Sequence, residues 1–125
     1  MAIFCKTAEP VILADPAFDT LEKEDPMILC RSCSHGVTHQ EFQILKDSRF
    51  SHTFANPYGH VFEIGCFSTA PGCVKVSPES DEFTWFKGYC WAVGGCRQCQ
   101  SQLGWIFSSG RDTFYGLILD HLIFP

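Results

Sequence analysis

From residue 27 onward, apolar and polar positions alternate in short runs separated by Gly, Pro, Asn and Ser. "EFQIL" (41–45), "HVFEIGCF" (60–67), "CVKVS" (73–77), "FTWF" (83–86), "CWAV" (90–93) and "LGWIFS" (103–108) read as strands, several with clear period-2 alternation. "NPYG" at 56–59 is a turn signal between "HTFA" and "HVFEI". Only Pro10–Leu21 and 112–123 offer a helical pattern. The pattern therefore predicts a small all-β domain over 27–125. Residues 1–26 differ in texture. Pro10, Pro16 and Pro26 stand among acids, which predicts a weakly structured arm. Its Val11, Ile12, Leu13 and Phe18 could dock on the body as a short strand or turn.

Composition sharpens this picture. A chain of 125 residues with 46% hydrophobic residues and 12 phenylalanines has material for one packed core. The net charge of −5, without a Lys/Arg cluster, leaves no electrostatic footprint for nucleic acid. No apolar run approaches the roughly 20 residues that span a bilayer. "MAIFC" is too short for a signal-peptide core, and Lys6, Glu9 and Pro10 come after it. Eight cysteines without a secretory signal point to a reducing, intracellular (cytoplasmic) setting, and to metal before disulfides.

Four of those cysteines form two CxxC units, Cys30-Arg-Ser-Cys33 and Cys96-Arg-Gln-Cys99. Each can present two thiolates to one ion, and together they make the four-sulfur set of a structural zinc site. The 62 residues between the units exceed the gap of a compact zinc ribbon, so the ion would tie the start of the domain to a late hairpin. A redox CxxC or a disulfide pair are the alternatives. A redox CxxC wants a helix start in a βαβ setting, which this pattern lacks. His35 and His39 lie near the first unit as substitute ligands, but with four cysteines present they read as surface histidines. Cys5, Cys66, Cys73 and Cys90 show no further CxxC spacing and read as buried free thiols packing as small hydrophobes.

The three tryptophans, Trp85, Trp91 and Trp105, fall within 21 consecutive positions. A packed core is the ordinary reading of tryptophans in adjacent strands. A cage around a ligand is the other. If Lys87-Gly88 were a two-residue hairpin turn, Trp85 and Trp91 would lie on opposite faces, so a cage needs an irregular turn at 86–90. In "LGWIF", Leu103, Trp105 and Phe107 share one face by alternation.

The ordered series of the first CxxC, "NPYGHVFEI", "FTWFKGYCWAV", "CRQCQSQLGWIF" and "FYGLILDHLIFP" resembles the CULT domain, the thalidomide-binding domain of cereblon, across 27–125. The specific part is "WF-x-GY-x-W" upstream of a CxxC with "LGW" after it. The resemblance implies a β-tent, two antiparallel sheets pinned by zinc on Cys30, Cys33, Cys96 and Cys99. It implies a cage walled by Trp85, Trp91 and Trp105 with Phe107 at its base, and Asn56 in a loop covering the pocket. It also implies backbone recognition of a cyclic imide at Phe83 and Trp85. The animal receptors of the family usually carry His where this chain has Phe83.

The implied function is a non-enzymatic binding module for glutarimide, thalidomide-type drugs or the C-terminal cyclic imides of proteins. The chain has no room for the Lon-like domain and helical adaptor-binding segment of full cereblon, so no ubiquitin-ligase role is carried over. An aromatic-cage reader of methylated or quaternary ammonium groups is an alternative, with Asp81 and Glu82 close by. A methionine sulfoxide reductase of the B type is another. That enzyme needs a nucleophilic cysteine in a late strand, and no cysteine follows Cys99.

Overall fold

The computed structural model describes residues 26–125. The expected arm, the helical pattern at Pro10–Leu21 and Cys5 lie outside the described residues. Among the described residues, nine strands run in order: β1 (Ile28–Cys30), β2 (Gly36–Thr38), β3 (Ser51–Ala55), β4 (Val61–Phe67), β5 (Cys73–Lys75), β6 (Cys90–Cys96), β7 (Gln102–Ser108), β8 (Thr113–Ile118) and β9 (Leu122–Ile123). They build a three-stranded sheet, β2-β1-β9, and a six-stranded sheet, β3-β4-β8-β7-β6-β5. Every strand pairing is antiparallel. The described residues are all-β, as the hydrophobic pattern predicts, with two short 3-10 turns at Gln40–Phe42 and Leu119–His121.

The large sheet buries both faces. One face packs Phe67, Leu103, Leu117 and Cys73 against Ile28, Val37 and Leu122 of the small sheet. The other carries Ile64, Cys66, Phe107, Phe114 and Ile118, with Phe86 laid across them. Burying the strands on two sides explains one mistaken expectation. Residues 112–123 looked helical because Phe114, Leu117, Ile118 and Leu122 recur at helical spacing. They form β8, a 3-10 turn and β9. A strand covered on both faces has a near-continuous apolar run, which periodicity does not separate from a buried helix.

Two predicted strands are not strands. In "EFQIL", Gln40–Phe42 is a 3-10 turn and only Gln43 bridges to Phe67. Phe42 and Ile44 imitate alternation because both dip toward the body while the chain runs past the end of β4. In "FTWF", the backbone of Phe83 is left-handed (φ 56°), which ends any strand there. Trp85 and Phe86 pack on the same cluster although they are consecutive, and consecutive strand residues would point to opposite faces.

Leu103 also departs from its expected face. The β6–β7 register slips between Gly94 and Gly95. The slip turns Leu103 into the core shared with the small sheet, while Trp105 and Phe107 face the aromatic cluster. Gly104 permits this close approach, since a Cβ there would run into the Gly116 carbonyl.

Candidate functional site

The two CxxC units are local copies of one turn. In the first, Ser34 N–H donates to the Cys30 carbonyl (2.7 Å), and Cys30 N–H donates to the His35 carbonyl (2.8 Å). In the second, Gln100 N–H donates to the Cys96 carbonyl (2.8 Å), and Cys96 N–H donates to the Ser101 carbonyl (2.8 Å). Ser34 (φ 65°) and Gln100 (φ 68°) occupy the same left-handed position directly after the second cysteine. The first turn joins β1 to β2 and the second joins β6 to β7, so each sheet contributes one pair of sulfurs.

The four sulfurs lie within 4.8 Å of one another. Cys30 and Cys99 Sγ are 3.8 Å apart, and Cys33 and Cys96 Sγ are 3.6 Å apart. Those separations are far longer than a disulfide, and all four cysteines are free. They match the edge of a tetrahedron whose centre lies about 2.3 Å from each sulfur, the usual metal–thiolate distance. The residues present fit a single metal ion. His35 and His39 stand outside this cluster. His39 is fully buried, edge-on to Phe42 at 6.1 Å, which corrects its reading as a surface histidine.

Local chemistry differs among the sulfurs. Burial pushes the Cys33 thiol up to about 12, and the neighbouring thiols push the same way. The Ser101 hydroxyl, 3.0 Å from Cys99 Sγ, and the Ser101 backbone draw Cys99 down to about 6. A cation held by four thiolates displaces every remaining thiol proton, that of Cys33 among them, and below about pH 6 that of Cys99 as well. Apparent metal affinity should therefore fall as pH falls, by about tenfold per pH unit for each proton displaced. Competition against a chromophoric chelator at pH 8 and pH 6 measures this, and equal affinity at both values would contradict it.

The second site is built on the aromatic face of the large sheet. The pairing sets Trp91, Phe107 and Phe114 in one cross-strand row and Val93, Trp105 and Gly116 in the next. Trp85 arrives from the loop 81–89. Its indole stacks on Phe54 (4.8 Å, 10°) and meets Trp105 edge-on (4.7 Å, 71°). Trp105 in turn meets Phe62 edge-on at 5.2 Å. Asn56, Phe83, Trp85, Trp91, Trp105 and Phe107, all singled out in the sequence, line one cavity of about 550 Å³. The three indoles are half-buried, and Phe107 forms the closed floor at 1% exposure.

Specific bonds give the loop its irregular shape. Ser80 and Trp91 exchange two backbone hydrogen bonds of 2.8 Å, so the chain leaves and re-enters the sheet at that pair. Tyr89 N–H donates to the Phe86 carbonyl (3.0 Å), closing a turn over Lys87-Gly88. Gly88 takes the positive φ (88°) that this turn requires. No regular hairpin forms there, as a cage demands. Trp91 Nε1 donates to the Glu82 carbonyl (2.8 Å) and Trp85 Nε1 to the Ala55 carbonyl (3.3 Å). The Tyr89 hydroxyl donates to Asp112 (2.6 Å), which also pairs with Lys46 (2.8 Å).

Sequence reasoning missed Phe62, Tyr58, Val93 and Gln102, which also line the cavity. Phe62 was findable: "HTFA" and "HVFEI" joined through "NPYG" place it opposite Phe54. That turn forms as expected. Asn56 Oδ1 accepts from the N–H groups of Tyr58 and His60 (both 3.0 Å). None of the lining residues carries a formal charge.

Three other cysteines fall among the described residues. Cys66 and Cys73 are free and buried, and burial pushes them up to about 11 and about 12. Cys90 is buried in β6 but is disulfide-bonded, which corrects its reading as a free thiol. Among the described residues, no helix is long and apolar enough to cross a membrane.

No family model matches the sequence. Among curated proteins, the chain is 29% identical to protein cereblon of Danio rerio over 77% of this chain and 24% of that protein. It is 35% identical to protein cereblon of Xenopus tropicalis over 51% of this chain and 15% of that protein. It is 26% identical to protein cereblon of Drosophila yakuba over 76% of this chain and 18% of that protein. The chain thus spans about a quarter or less of the length of these relatives. Identity is modest, but with two antiparallel sheets and a four-cysteine cluster the similarity is that of a cereblon-like CULT domain.

Proposed function

We propose that this domain is a non-enzymatic binding module whose three-tryptophan pocket takes a cyclic imide, held in shape by a structural zinc ion. The ligand class covers glutarimide, thalidomide-type compounds and cyclic imides at protein C-termini. One observation carries the reading. Among the described residues, the backbone N–H and C=O groups of Phe83 and Trp85 form no hydrogen bond, and both residues line an uncharged aromatic cavity. Backbone groups left unpaired beside an apolar pocket suit a ligand that is itself neutral and polar at one edge. A glutarimide ring is flat and neutral, with one N–H and two C=O groups. Indole faces supply its contact area and exclude water.

Trp85 and Trp91 already donate their indole N–H groups to protein carbonyls. Recognition therefore falls to the loop backbone, and Trp105 is the wall whose N–H makes no bond among the described residues. With Phe83 exposed and lacking a polar side chain, the backbone at that position must serve alone.

Zinc is the metal this donor set favours. Four thiolates in a tetrahedron suit zinc or iron, and a site that only joins two sheets needs no redox chemistry. When bound, zinc supplies a closed cross-link, and no position remains for a reacting water.

The cavity's chemistry speaks against the other readings. No carboxylate lines it, so a quaternary ammonium would have only the ring faces. A reductase would need an accessible thiolate, and Cys66 and Cys73 are buried and protonated. The test is a titration followed by tryptophan fluorescence. Glutarimide is expected to bind in the micromolar range, about −8 kcal/mol. Trimethyl-lysine is expected to leave the signal unchanged. The reverse result would replace the imide reading with the cation reading.

A further inference from the structure

Outside the pocket, three segments distant in sequence meet at one polar cluster. Lys46 lies in the turn before β3, Asp112 between β7 and β8, and Tyr89 at the end of the loop 81–89. Lys46 Nζ pairs with Asp112 Oδ2 at 2.8 Å and donates to the Tyr89 hydroxyl at 3.1 Å. The same carboxylate oxygen accepts from the Tyr89 hydroxyl at 2.6 Å. Lys46 Nζ also stands 4.6 Å from the centre of the Phe114 ring and 5.2 Å from that of Tyr89. The hydrogen bond to Asp112 holds the Lys46 ammonium above its usual range, and the bonds from Lys46 and Tyr89 hold the Asp112 carboxyl below its own. Both groups are charged at neutral pH, so the Tyr89–Asp112 bond is charge-assisted. None of these three residues lines the cavity.

Tyr89 connects this cluster to the cavity wall. Its N–H donates to the Phe86 carbonyl (3.0 Å), and its ring meets Phe114 edge-on at 5.2 Å. Phe86 is wedged among His52, Phe54, Phe107 and Phe114. Trp85, next to it in the chain, is a wall of the cavity. The bond from Trp85 Nε1 to the Ala55 carbonyl is the longer hold on the loop, at 3.3 Å.

Resting on the imide reading above, we propose that Lys46 and Asp112 are positioning residues: through Tyr89 they clamp the loop 81–89 in the shape in which Phe83 and Trp85 receive the imide. The ion pair is partly exposed, and such pairs contribute little to folding. A loop whose open and closed shapes lie close in free energy responds to contributions that a whole domain does not. Affinity falls in proportion to the fraction of chains whose loop is closed. A tenfold loss corresponds to about one closed chain in ten.

The experiment uses the metal-loaded full chain and glutarimide as the probe. Binding is read by tryptophan fluorescence. Loop opening is read as trypsin cleavage after Lys87, which is exposed in the loop, with the cut identified by mass. Asp112→Ala is expected to weaken glutarimide about tenfold and to speed that cleavage about tenfold without ligand. Tyr89→Phe should do about the same, and the double variant no more, because both changes remove one shared bond. Lys46→Met should weaken binding about threefold. Asp112→Asn keeps an oxygen for the Tyr89 hydroxyl and should stay within about threefold of the unaltered chain. Saturating glutarimide should slow the cleavage in every variant, since the ligand favours the closed loop. Metal content and melting temperature near those of the unaltered chain separate a loosened loop from a lost fold. Should Asp112→Ala not fold, Tyr89→Phe and Lys46→Met carry the same comparison. Variants that bind glutarimide as tightly as the unaltered chain, or that lose affinity without faster cleavage after Lys87, overturn the clamp while the imide reading stands. If the unaltered chain binds no glutarimide, the imide reading fails. Cleavage after Lys87 then decides the clamp by itself, and an unchanged rate in the variants overturns it.

Discussion

A Cys96→Ser chain is expected to lose its bound metal and most of its folded structure at 25 °C. The reason lies in how small the lesser sheet is. The small sheet has strands of three, three and two residues. Its core residues Ile28, Val37 and Leu122 rest on the large sheet, but so short a sheet holds few hydrogen bonds of its own. The four sulfurs bind the β1–β2 turn to the β6–β7 turn across 62 intervening residues. Structural zinc contributes about 10–16 kcal/mol in zinc-finger peptides, against a typical domain stability of about 5–15 kcal/mol. A serine at position 96 removes a ligand that is completely buried and leaves a hydroxyl among thiols. Metal content, far-UV circular dichroism and the melting temperature read the outcome together. Metal content well below one equivalent with the fold lost is the expected result, and chelator should reproduce it in the unaltered chain. A Cys96→Ser chain that stays folded in chelator would show that hydrophobic contact alone holds the sheets together.

The four-cysteine cluster was legible because its signal is local. Each CxxC contains its own turn, which presents its two sulfurs together. The all-β class was legible for a similar reason, since alternation marks strands that bury one face, as β3 and the start of β4 do. Legibility failed where both sides of the chain are covered. Strand β8 lost its period because Phe114 and Leu117 serve different cores. The loop 81–89 failed for the opposite reason. Its conformation is set by partners distant in sequence: the Ala55 carbonyl for Trp85, Asp112 for Tyr89, and four rings around Phe86. Period-2 reasoning still had one use there. It showed that a regular hairpin would separate Trp85 from Trp91, and the structure avoids that hairpin by pairing Trp91 with Ser80. Leu103 was misplaced by a one-residue slip at Gly94–Gly95, since a bulge reverses the facing of the residues beyond it.

Trp105→Ala is expected to weaken glutarimide binding by at least about thirtyfold, and N-methylation of the imide is expected to abolish binding. The two changes test different halves of the site. Trp105 is fixed by sheet pairing on both sides, opposite Val93 and Gly116. It also supports Trp85, whose ring meets it at 4.7 Å. Truncation removes a wall, opens the cavity to water and leaves Trp85 with Phe54 and Phe62 as its ring neighbours. Central aromatic anchors of this kind cost about 2 kcal/mol or more when truncated, which is the stated thirtyfold. The fold should survive, because Trp105 borders a solvent-reachable cavity and is only half-buried. Retained metal and an unchanged circular dichroism spectrum would separate a lost wall from a lost fold. N-methylation leaves every ring contact available and removes only the imide donor. A backbone carbonyl that met N–H now meets a methyl group, at about 1–3 kcal/mol for the unsatisfied acceptor with steric conflict added. For a ligand of eight heavy atoms near −8 kcal/mol, that combination moves binding out of the measurable range. If N-methylglutarimide bound as well as glutarimide, the loop backbone would not be reading the imide edge, and the pocket would be a simple apolar cleft. If Trp105→Ala bound normally, the ligand would sit elsewhere, and the unpaired backbone groups of Phe83 and Trp85 would need another explanation.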